Sequence, residues 1–342
     1  MSAPPVSRLD LNRLIASDAR RTPEMQGLWE WIQTEDAKDP DYGRPLPTAE
    51  LRAQYERLSR KWNRDLPNVA ETRRFTIPGV MDSPPVSVEL IIPHQAQPGA
   101  LVQAHGGCWT FGDLDSHQRF KRLLAIETRT PLLSVDYRLA PEHPFPAALE
   151  DMQAAWRWLH EQSKTDARFK GPLVVAGDSA GANLALALTL REQNLNRPAP
   201  QAALLFYGIY SDDLDSPSYR RFANGYGLTQ ELMQRCFDFY APGEGPDATR
   251  RDPLVSAIHA SDAALARLPP LFLNAASLDV LLFDTLNFAK RLDAAGTNYE
   301  LALHEGVHHG FMQFSAFLEE ARRAIMLAGD FFQRTFYPRA SS

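Results

Sequence analysis

The chain has 342 residues, of which 44% are hydrophobic and 23% charged, which excludes a fibrous or disordered protein and allows a substantial buried core. The formal net charge of −6 argues against binding to nucleic acid or to an anionic membrane surface. No apolar run approaches the roughly 18 residues of a membrane span, no signal-peptide pattern opens the sequence, and only Cys108 and Cys236 carry thiols. We therefore expect a cytoplasmic protein in a reducing compartment.

The first 70 residues are predicted to be largely helical. Leu51, Tyr55, Leu58 and Trp62 recur at spacings of four, three and four residues, which places them on one stripe of a helix that Thr48 would cap. The same spacing occurs earlier, at Leu11, Leu14 and Ile15 and at Leu28, Trp31 and Ile32.

From about residue 75 the pattern changes to short apolar runs of strand length. These runs are Val86–Ile92, Leu101–Ala104, Leu132–Val135, Leu173–Ala176, Ala202–Tyr207, Leu271–Ala275 and Tyr299–Leu303. Several alternate with helical stretches, at Ala147–His160, Ala180–Glu192, Leu281–Ala294 and Phe314–Thr335. The alternation predicts an α/β fold in which helices flank a mostly parallel central sheet. Residues 211–269 interrupt it and contain one more helical stretch, Thr229–Tyr240.

The most informative segment is Gly-Asp-Ser-Ala-Gly at residues 177–181, between a predicted strand and a predicted helix. The pattern G-x-S-x-G in this context forms a sharp turn that presents its serine, Ser179, at the helix N-terminus. Small residues at Gly177 and Gly181 let the strand and helix pack closely. A Gly-Ser turn selected only for flexibility is the alternative, but the flanking strand and helix favour a nucleophile.

A nucleophilic serine needs an imidazole that accepts its proton and a carboxylate that orients this imidazole. Asp279 follows one predicted strand, and both His308 and His309 follow the next. The order Ser, Asp, His is one of the known orders of such a triad. Spacing alone leaves both histidines as candidates for the base, whereas Asp284 is assigned to the following helix with a structural role.

A third element is the strand that ends in His-Gly-Gly-Cys-Trp at residues 105–109. Backbone N–H groups must come within hydrogen-bond distance of an oxyanion, and glycine permits this close approach. We assign the oxyanion donors to Gly106, Gly107 and Ala180. A plain Gly-Gly turn is the alternative interpretation of the same residues.

With these elements in chain order, the sequence resembles the hormone-sensitive-lipase-like family of α/β-hydrolases, which are bacterial carboxylesterases with an H-G-G-G loop and a G-D-S-A-G elbow. The segments 112–117 and 137–148 extend the similarity, which covers about residues 75–335. The resemblance implies an α/β-hydrolase fold with a helical cap and no metal or other cofactor. It implies Ser179 as nucleophile, Asp279 as acid and His309, just before Gly310 and Phe311, as base.

The implied activity is hydrolysis of short- to medium-chain carboxylic esters through an acyl-enzyme intermediate. The implied domains are a cap segment at 1–70, a cap insertion at 211–269, and a catalytic domain at 71–210 and 270–342. The expected partner is a small-molecule ester rather than a nucleic acid or a membrane, and some family members form homodimers, which makes a homodimer a candidate here.

Two positions depart from the family pattern. Cys108 stands at the third glycine of the loop, and Val280 replaces the proline that usually follows the acid. We interpret Cys108 as a small buried residue that tightens the pocket, not as a catalytic thiol. The predicted pocket residues are Cys108, Trp109 and Asp178. Core packing is the simplest role for Trp29, Trp31 and Trp62, with the pocket as the alternative, and His117 and His143 are assigned structural roles.

Three alternatives stay open. An amidase or a lactonase would use the same triad, and a hydrolase fold can also serve as a non-catalytic receptor for a small ligand. Residues 304–308 also match H-E-x-x-H, a zinc-protease pattern that requires both histidines on one helical face. Gly306, Val307 and the preceding strand disfavour such a helix.

Overall fold

The computed structural model describes residues 20–44, 46–243 and 249–338. The helical spacing predicted at Leu11, Leu14 and Ile15 lies outside these residues. Within them, no helix is both long enough and apolar enough to cross a membrane.

The described residues form one eight-stranded sheet in the order β1-β2-β4-β3-β5-β6-β7-β8. β2 runs antiparallel to both β1 and β4, and all the other neighbouring strands are parallel. The strands are β1 (Glu71–Ile77), β2 (Val86–Ile92), β3 (Ala100–Ala104), β4 (Leu132–Asp136), β5 (Leu173–Asp178), β6 (Ala203–Phe206), β7 (Leu271–Leu278) and β8 (Tyr299–His308). The predicted mostly parallel sheet is confirmed.

Ten α-helices accompany the sheet in the described part of the chain. They are α1 (Pro23–Asp36), α2 (Thr48–Trp62), α3 (Gln118–Thr128), α4 (Ala147–Gln162), α5 (Ala180–Asn194), α6 (Pro217–Phe222), α7 (Gln230–Tyr240), α8 (Asp262–Leu265), α9 (Leu282–Ala295) and α10 (Glu319–Phe336). Thr48 is the first residue of α2 and not its cap, because the chain enters the helix from Pro47 in an extended conformation. The last helix begins at Glu319, not at Phe314, since Phe311–Phe314 forms a separate 3₁₀ turn.

The core lies on both faces of the sheet. Val102 and Val175 point into an apolar cluster with α4, α5 and α9, while their strand neighbours Leu101 and Val174 point into a second cluster with α1, α3 and α10. Adjacent side chains of a strand face opposite sides, so continuously apolar strands are expected for a sheet covered twice. β1, with charged residues and mostly exposed side chains, is an edge strand that the sequence pattern did not predict.

The junction of β5 and α5 is the tightest point of the fold. Ser179 has φ 56° and ψ −120°, a strained conformation for a residue with a side chain. A Cβ atom on Gly181 would lie 2.1 Å from the carbonyl oxygen of Ala104 in β3, and one on Gly177 would lie 2.2 Å from the carbonyl oxygen of Gly181. Only glycine at these two positions lets α5 come close enough to hold Ser179 in this turn.

We therefore predict that Gly181→Ala lowers the free energy of unfolding by about 2–4 kcal/mol, because backbone atoms must move to admit one methyl group. Gly27→Ala is the matched control: Gly27 lies in α1 with no atom within 4 Å of the added Cβ, so alanine should stabilise the protein by about 0.5–1 kcal/mol. Urea unfolding of both variants measures the difference. A loss below about 1 kcal/mol for Gly181→Ala would contradict the close-approach argument.

Candidate active site

The structure brings Ser179, His309 and Asp279 together at one edge of the sheet. His309 Nε2 lies 2.9 Å from Ser179 Oγ, and His309 Nδ1 lies 2.7 Å from Asp279 Oδ2. A carboxylate can only accept, so Nδ1 carries the imidazole proton and Nε2 is left to accept the serine hydroxyl. The arrangement follows from the topology, because β5, β7 and β8 are parallel and the three residues lie beyond or near their carboxyl ends.

Asp279 is held by its own loop. Its other carboxylate oxygen, Oδ1, accepts the backbone N–H of Leu281 at 2.9 Å, and the residue is 1% exposed. The carboxylate therefore keeps one oxygen fixed while the second faces the imidazole. Asp284 has a structural role instead, because its buried Oδ2 accepts the N–H groups of Tyr210 and Ser211, and burial raises its pKa well above the usual value.

His308 lies at the end of β8 and contacts a different set of residues. Arg21 Nε donates to His308 Nε2 at 2.6 Å, and the ring of Trp29 lies edge-on at 4.9 Å. An imidazole nitrogen that accepts from a guanidinium carries no proton, and burial together with Arg21 lowers the pKa of His308 to about 3. His308 is thus a neutral structural residue, and His309 is the histidine beside Ser179.

The segment that matches H-E-x-x-H is a strand and not a helix. His304 and His308 both lie in β8, where Nδ1 of His304 lies 2.6 Å from Glu320 Oε1 in α10. Four residues along a strand separate two Cα atoms by about 13 Å, whereas the zinc-protease pattern places its histidines on adjacent helical turns. Among the residues that the structure describes, no three His, Cys, Asp or Glu side chains form a group that could hold a metal ion.

The N–H of Gly106 is not available as the predicted oxyanion donor. The N–H of Gly106 donates to Asp178 Oδ1 at 2.9 Å, and a Cβ on Gly106 would lie 2.5 Å from Oδ2 of the same residue. This amide is therefore already satisfied by a buried carboxylate, and the assignment of Gly106 as an oxyanion donor is withdrawn. The next two amides, of Gly107 and Cys108, have no acceptor within the described chain.

The loop turns sharply at Gly107. The N–H groups of Thr110 and Phe111 both donate to the Gly107 carbonyl, at 2.9 and 2.8 Å, and Gly107 has φ +125°. A Cβ there would lie 2.2 Å from the carbonyl oxygen of Phe111, so the turn needs glycine. As a result Gly107 and Cys108 line the same cavity as Ser179. Ala180 follows Ser179 directly and is the first residue of α5, so its N–H has no acceptor within the helix.

Trp109 is also placed differently from the prediction. It is fully buried, stacks on Tyr240 at 4.3 Å, and its indole nitrogen lies 3.3 Å from Asn183 Oδ1. It packs against Phe237 and Tyr240 of α7 and does not line the cavity. Cys108 and Asp178 do line the cavity. Contact with the Cys236 thiol and burial raise the pKa of Cys108 well above its usual value, which fits packing rather than catalysis.

Asp178, next to Ser179 in the sequence, is buried and surrounded by polar groups. Besides the Gly106 amide, its Oδ2 lies 3.4 Å from His117 Nε2 and 3.5 Å from the hydroxyl of Tyr207. Burial alone would raise the pKa of Asp178, but His117 and the Gly106 amide outweigh it and lower the pKa below the usual value. The carboxylate is therefore charged, and it ties the loop at residues 105–109 to the residue that precedes Ser179.

Ser179 opens into a cavity of about 550 Å³. The whole predicted stripe of α2, Leu51, Tyr55, Leu58 and Trp62, lines this cavity, as does Trp29 of α1. Trp31 instead packs on Phe317 at 4.8 Å. The segment between β6 and β7 contributes Gly227, Leu228, Leu232 and Arg235 to the wall. The covering helices thus supply much of the apolar surface that a substrate would contact.

Comparison with known proteins identifies the family. The sequence pattern described as the alpha/beta hydrolase fold matches residues 101–313, more than half of the chain. Carboxylesterase NlhH of Mycobacterium tuberculosis is 34% identical over 224 residues, which cover 66% of this chain and 70% of that protein. The chain belongs to the α/β-hydrolase family.

Solved esterase structures share this α/β-hydrolase fold. The ester hydrolase EH1AB1 from the metagenome of Lake Arreo has a TM-score of 0.83 and 28% identity, covering 92% of this chain and 99% of its own. A thermostable esterase from Pseudomonas putida ECU1011 has a TM-score of 0.82 and 26% identity, covering 93% and 98%. These relatives confirm the resemblance to hormone-sensitive-lipase-like carboxylesterases, the predicted fold and the enzyme class.

Two features of this α/β-hydrolase site could not be predicted from the sequence. The cavity role of Tyr55 and Leu58 was missed because an apolar stripe indicates a covered helix face and does not say what covers it. Arg21 had no signal, because it lies 287 residues from His308 in the sequence. The free amide of Cys108 did have a signal, since the residue occupies the third position of the glycine loop.

The neutral His308 makes the stability of the hydrolase sensitive to acid. Its pKa is about 3 in the folded state, against about 6.5 for an unfolded histidine, and Arg21 is the charged group that faces it. Between these values the unfolded state binds the extra proton, so stability is complete above about pH 6.5 and falls as the pH decreases toward 3.

We predict that His308→Gln flattens this dependence by up to about 1.4 kcal/mol per pH unit, because the substituted chain no longer titrates there. Urea unfolding at several pH values between about 4.5 and 7 measures the slope, and His143→Gln, on an exposed loop, should keep the wild-type slope. Equal slopes for wild type and His308→Gln would show that His308 is not buried in its neutral form.

Proposed function

We propose that the chain hydrolyses short- to medium-chain carboxylic esters through an acyl-enzyme on Ser179. The observation that carries this proposal is the continuous path of hydrogen bonds from Asp279 through His309 to Ser179, at 2.7 and 2.9 Å, beside a cavity with an apolar wall. In a serine hydrolase this arrangement lets the imidazole act as general base and general acid in turn.

In the first step Ser179 Oγ attacks the ester carbonyl while His309 Nε2 takes the hydroxyl proton. Asp279, buried and fixed by the Leu281 amide, stabilises the imidazolium that forms. His309 then returns the proton to the leaving alcohol as the tetrahedral intermediate collapses. The second step repeats this sequence with water as the nucleophile, and releases the carboxylic acid and free Ser179.

The tetrahedral intermediate carries a negative charge on the former carbonyl oxygen. We propose that the N–H groups of Gly107, Cys108 and Ala180 stabilise it, because the N–H of Gly106 is already donated to Asp178. In this scheme Asp178 is a positioning residue: its carboxylate holds the loop so that the next two amides point into the cavity. Cysteine at position 108 provides as many hydrogen-bond donors as glycine would, since the donor in this scheme is the backbone amide.

The apolar wall suits a substrate with a hydrocarbon acyl group. A cavity of about 550 Å³, lined by the α2 stripe and Trp29, accommodates a short or medium acyl chain and an alcohol of similar size. The relative EH1AB1 was solved in complex with a bipyridine phosphonate derivative. A phosphonate is therefore a suitable probe for a nucleophilic serine in this chain.

We propose that residues 1–70 and 211–269 act as a cap over a catalytic domain formed by 71–210 and 270–342, since α1, α2 and the segment before α7 line the cavity. The cytoplasmic location and the homodimer stay predictions. An amidase or a lactonase remains the second candidate function, because neither the triad nor the cavity distinguishes an ester from these substrates.

Ser179→Ala should reduce ester turnover at least about 10⁴-fold while it preserves the fold, because no other group can form the acyl-enzyme. In the wild type a phosphonate probe should add its mass to the peptide that contains Ser179 and to no other peptide. Ser277→Ala is a suitable control, since this serine hydrogen-bonds the Gly306 amide away from the triad and should still be labelled at Ser179. Labelling that survives in Ser179→Ala would contradict the assignment.

The substrate class is tested with p-nitrophenyl esters of increasing acyl length, measured beside matched anilide and lactone substrates. We expect kcat/KM to be highest for acyl chains of about four to eight carbons and lower for the anilide. A higher value for the anilide or the lactone would favour the second candidate function, and absence of turnover with all three classes would point to the ligand receptor.

Asp178 is tested by two substitutions. Asp178→Ala removes the acceptor of the Gly106 amide and should lower kcat by about 10²–10³-fold with little change in KM, because an oxyanion donor acts mainly in the transition state. Asp178→Asn keeps an acceptor oxygen and should lose about tenfold or less. Equal kcat values for the wild type and Asp178→Ala would show that the carboxylate does not position the loop.

A further inference from the structure

Arg21 lies where three segments of the chain meet. Its Nε donates to His308 Nε2 at the end of β8, and its second terminal nitrogen donates to the carbonyl of Gly225, in the segment before α7. Its guanidinium carbon lies 5.3 Å from the ring centre of Trp29 in α1 and 5.0 Å from that of Tyr226. The guanidinium of Arg21 therefore contacts α1, the segment before α7, and β8, the strand that leads to His309.

The backbone next to Arg21 is fixed against the same strand. The N–H of Thr22 donates to the carbonyl of Gly306 at 3.1 Å, and the Thr22 hydroxyl caps α1 by accepting the N–H of Met25. Gly306 has φ +70°, and a Cβ on it would lie 2.8 Å from the Thr22 nitrogen. The chain can approach β8 this closely only over a glycine, so Arg21 is held at a defined place before α1 begins.

The partners of Arg21 suit a contact that can open. They are an imidazole nitrogen, a carbonyl oxygen, two aromatic faces and the amide oxygen of Gln26 at 3.3 Å, all of which are neutral. Hydrogen bonds from an ionised donor are stronger than neutral ones, and stacking on aromatic rings adds to them. Such a contact holds the segments together, and because none of the partners is an anion, its opening leaves no buried negative charge without a counterion.

The three segments that Arg21 joins also line the cavity, with Trp29 from α1, Gly227 and Leu228 from the segment before α7, and His308 from β8. We propose that Arg21 is a positioning residue that closes these walls around the bound acyl group, an inference that rests on the proposed ester hydrolysis for its kinetic consequence. Loss of Arg21 lowers the fraction of molecules with closed walls, which weakens by the same factor the apparent binding of a substrate whose acyl chain contacts these walls. An acetyl group is too short to depend on them, so its binding changes little. The triad itself contacts neither Arg21 nor the loop at Gly225, so the chemical step for a small ester is preserved.

The test compares acyl lengths in Arg21→Ala. We expect KM for a p-nitrophenyl hexanoate to rise about tenfold and KM for the acetate to rise by less than about threefold, with kcat for the acetate within about twofold of wild type. Arg21→Lys keeps the charge but not the planar fork, so it should recover part of the hexanoate KM. Arg60→Ala, an exposed arginine of α2, is the matched control and should leave both substrates unchanged. An equal rise in KM for both esters would overturn the proposal.

A second measurement does not depend on activity. In Arg21→Ala, amide hydrogens in peptides from α1 and from residues 225–240 should exchange about tenfold faster, or more, than in the wild type. Exchange in β5 and α5 should be the same in both proteins. Arg60→Ala should show no such acceleration. Unchanged exchange in α1 and 225–240 would overturn the proposal even if the esterase assays succeed. If the wild type hydrolyses no ester, the proposed function fails, and the exchange result still decides whether Arg21 holds the two segments.

Discussion

The active site depends on how closely the first turn of α5 approaches β3. Gly181 lies so near the Ala104 carbonyl that no side chain fits between them, and this distance sets where Ser179 stands relative to the glycine loop that continues β3. Asp178, immediately before Ser179, then reaches the Gly106 amide. Ser179 and the glycine loop thus come from different strands, and their spacing is determined by backbone packing rather than by flexible side chains.

Asp178, the charged residue that precedes Ser179, shows how a buried polar group can organise its surroundings. A carboxylate removed from water is costly unless donors surround it, and Asp178 has an amide, a histidine and a tyrosine hydroxyl within 3.5 Å. These contacts keep it ionised in the interior. The same bond that satisfies the charge also engages the Gly106 amide and leaves the amides of Gly107 and Cys108 free, so the stability of the interior and the hydrogen bonding of the loop share one interaction.

The sequence was sufficient wherever the structure depends on local pattern. The strand, turn and helix around Ser179, the order of Asp279 and His309, and the mostly parallel sheet all follow from short-range rules of periodicity and turn chemistry. It was insufficient where the outcome depends on contacts across the fold. Gly106 and Cys108 are close together in the same loop, and only the position of Asp178 decides which amide is engaged. Trp109 likewise packs inside the protein, where its ring contacts Phe237 and Tyr240 of the distant helix α7.

The amino-terminal helices show a related limit. An apolar stripe with helical spacing predicts that a surface is covered, and α2 has such a stripe. In the structure Leu51, Tyr55, Leu58 and Trp62 border a space instead of a packed sheet, since α2 lies above the rim at which the parallel strands end. Periodicity reports the chemistry of a helix face and carries no information about whether protein atoms or a ligand will occupy the opposite side.

This placement of α2 separates residues whose substitution disturbs folding from residues whose substitution changes the cavity. Residues of α5 and the central strands are packed on all sides, so exchanges there disturb folding first. Side chains that border an open volume have fewer protein neighbours, and a change of their size alters the room offered to an incoming molecule at little cost to the scaffold. Substitutions in this one amino-terminal helix can therefore change which substrates fit, while the residues around Ser179 stay the same.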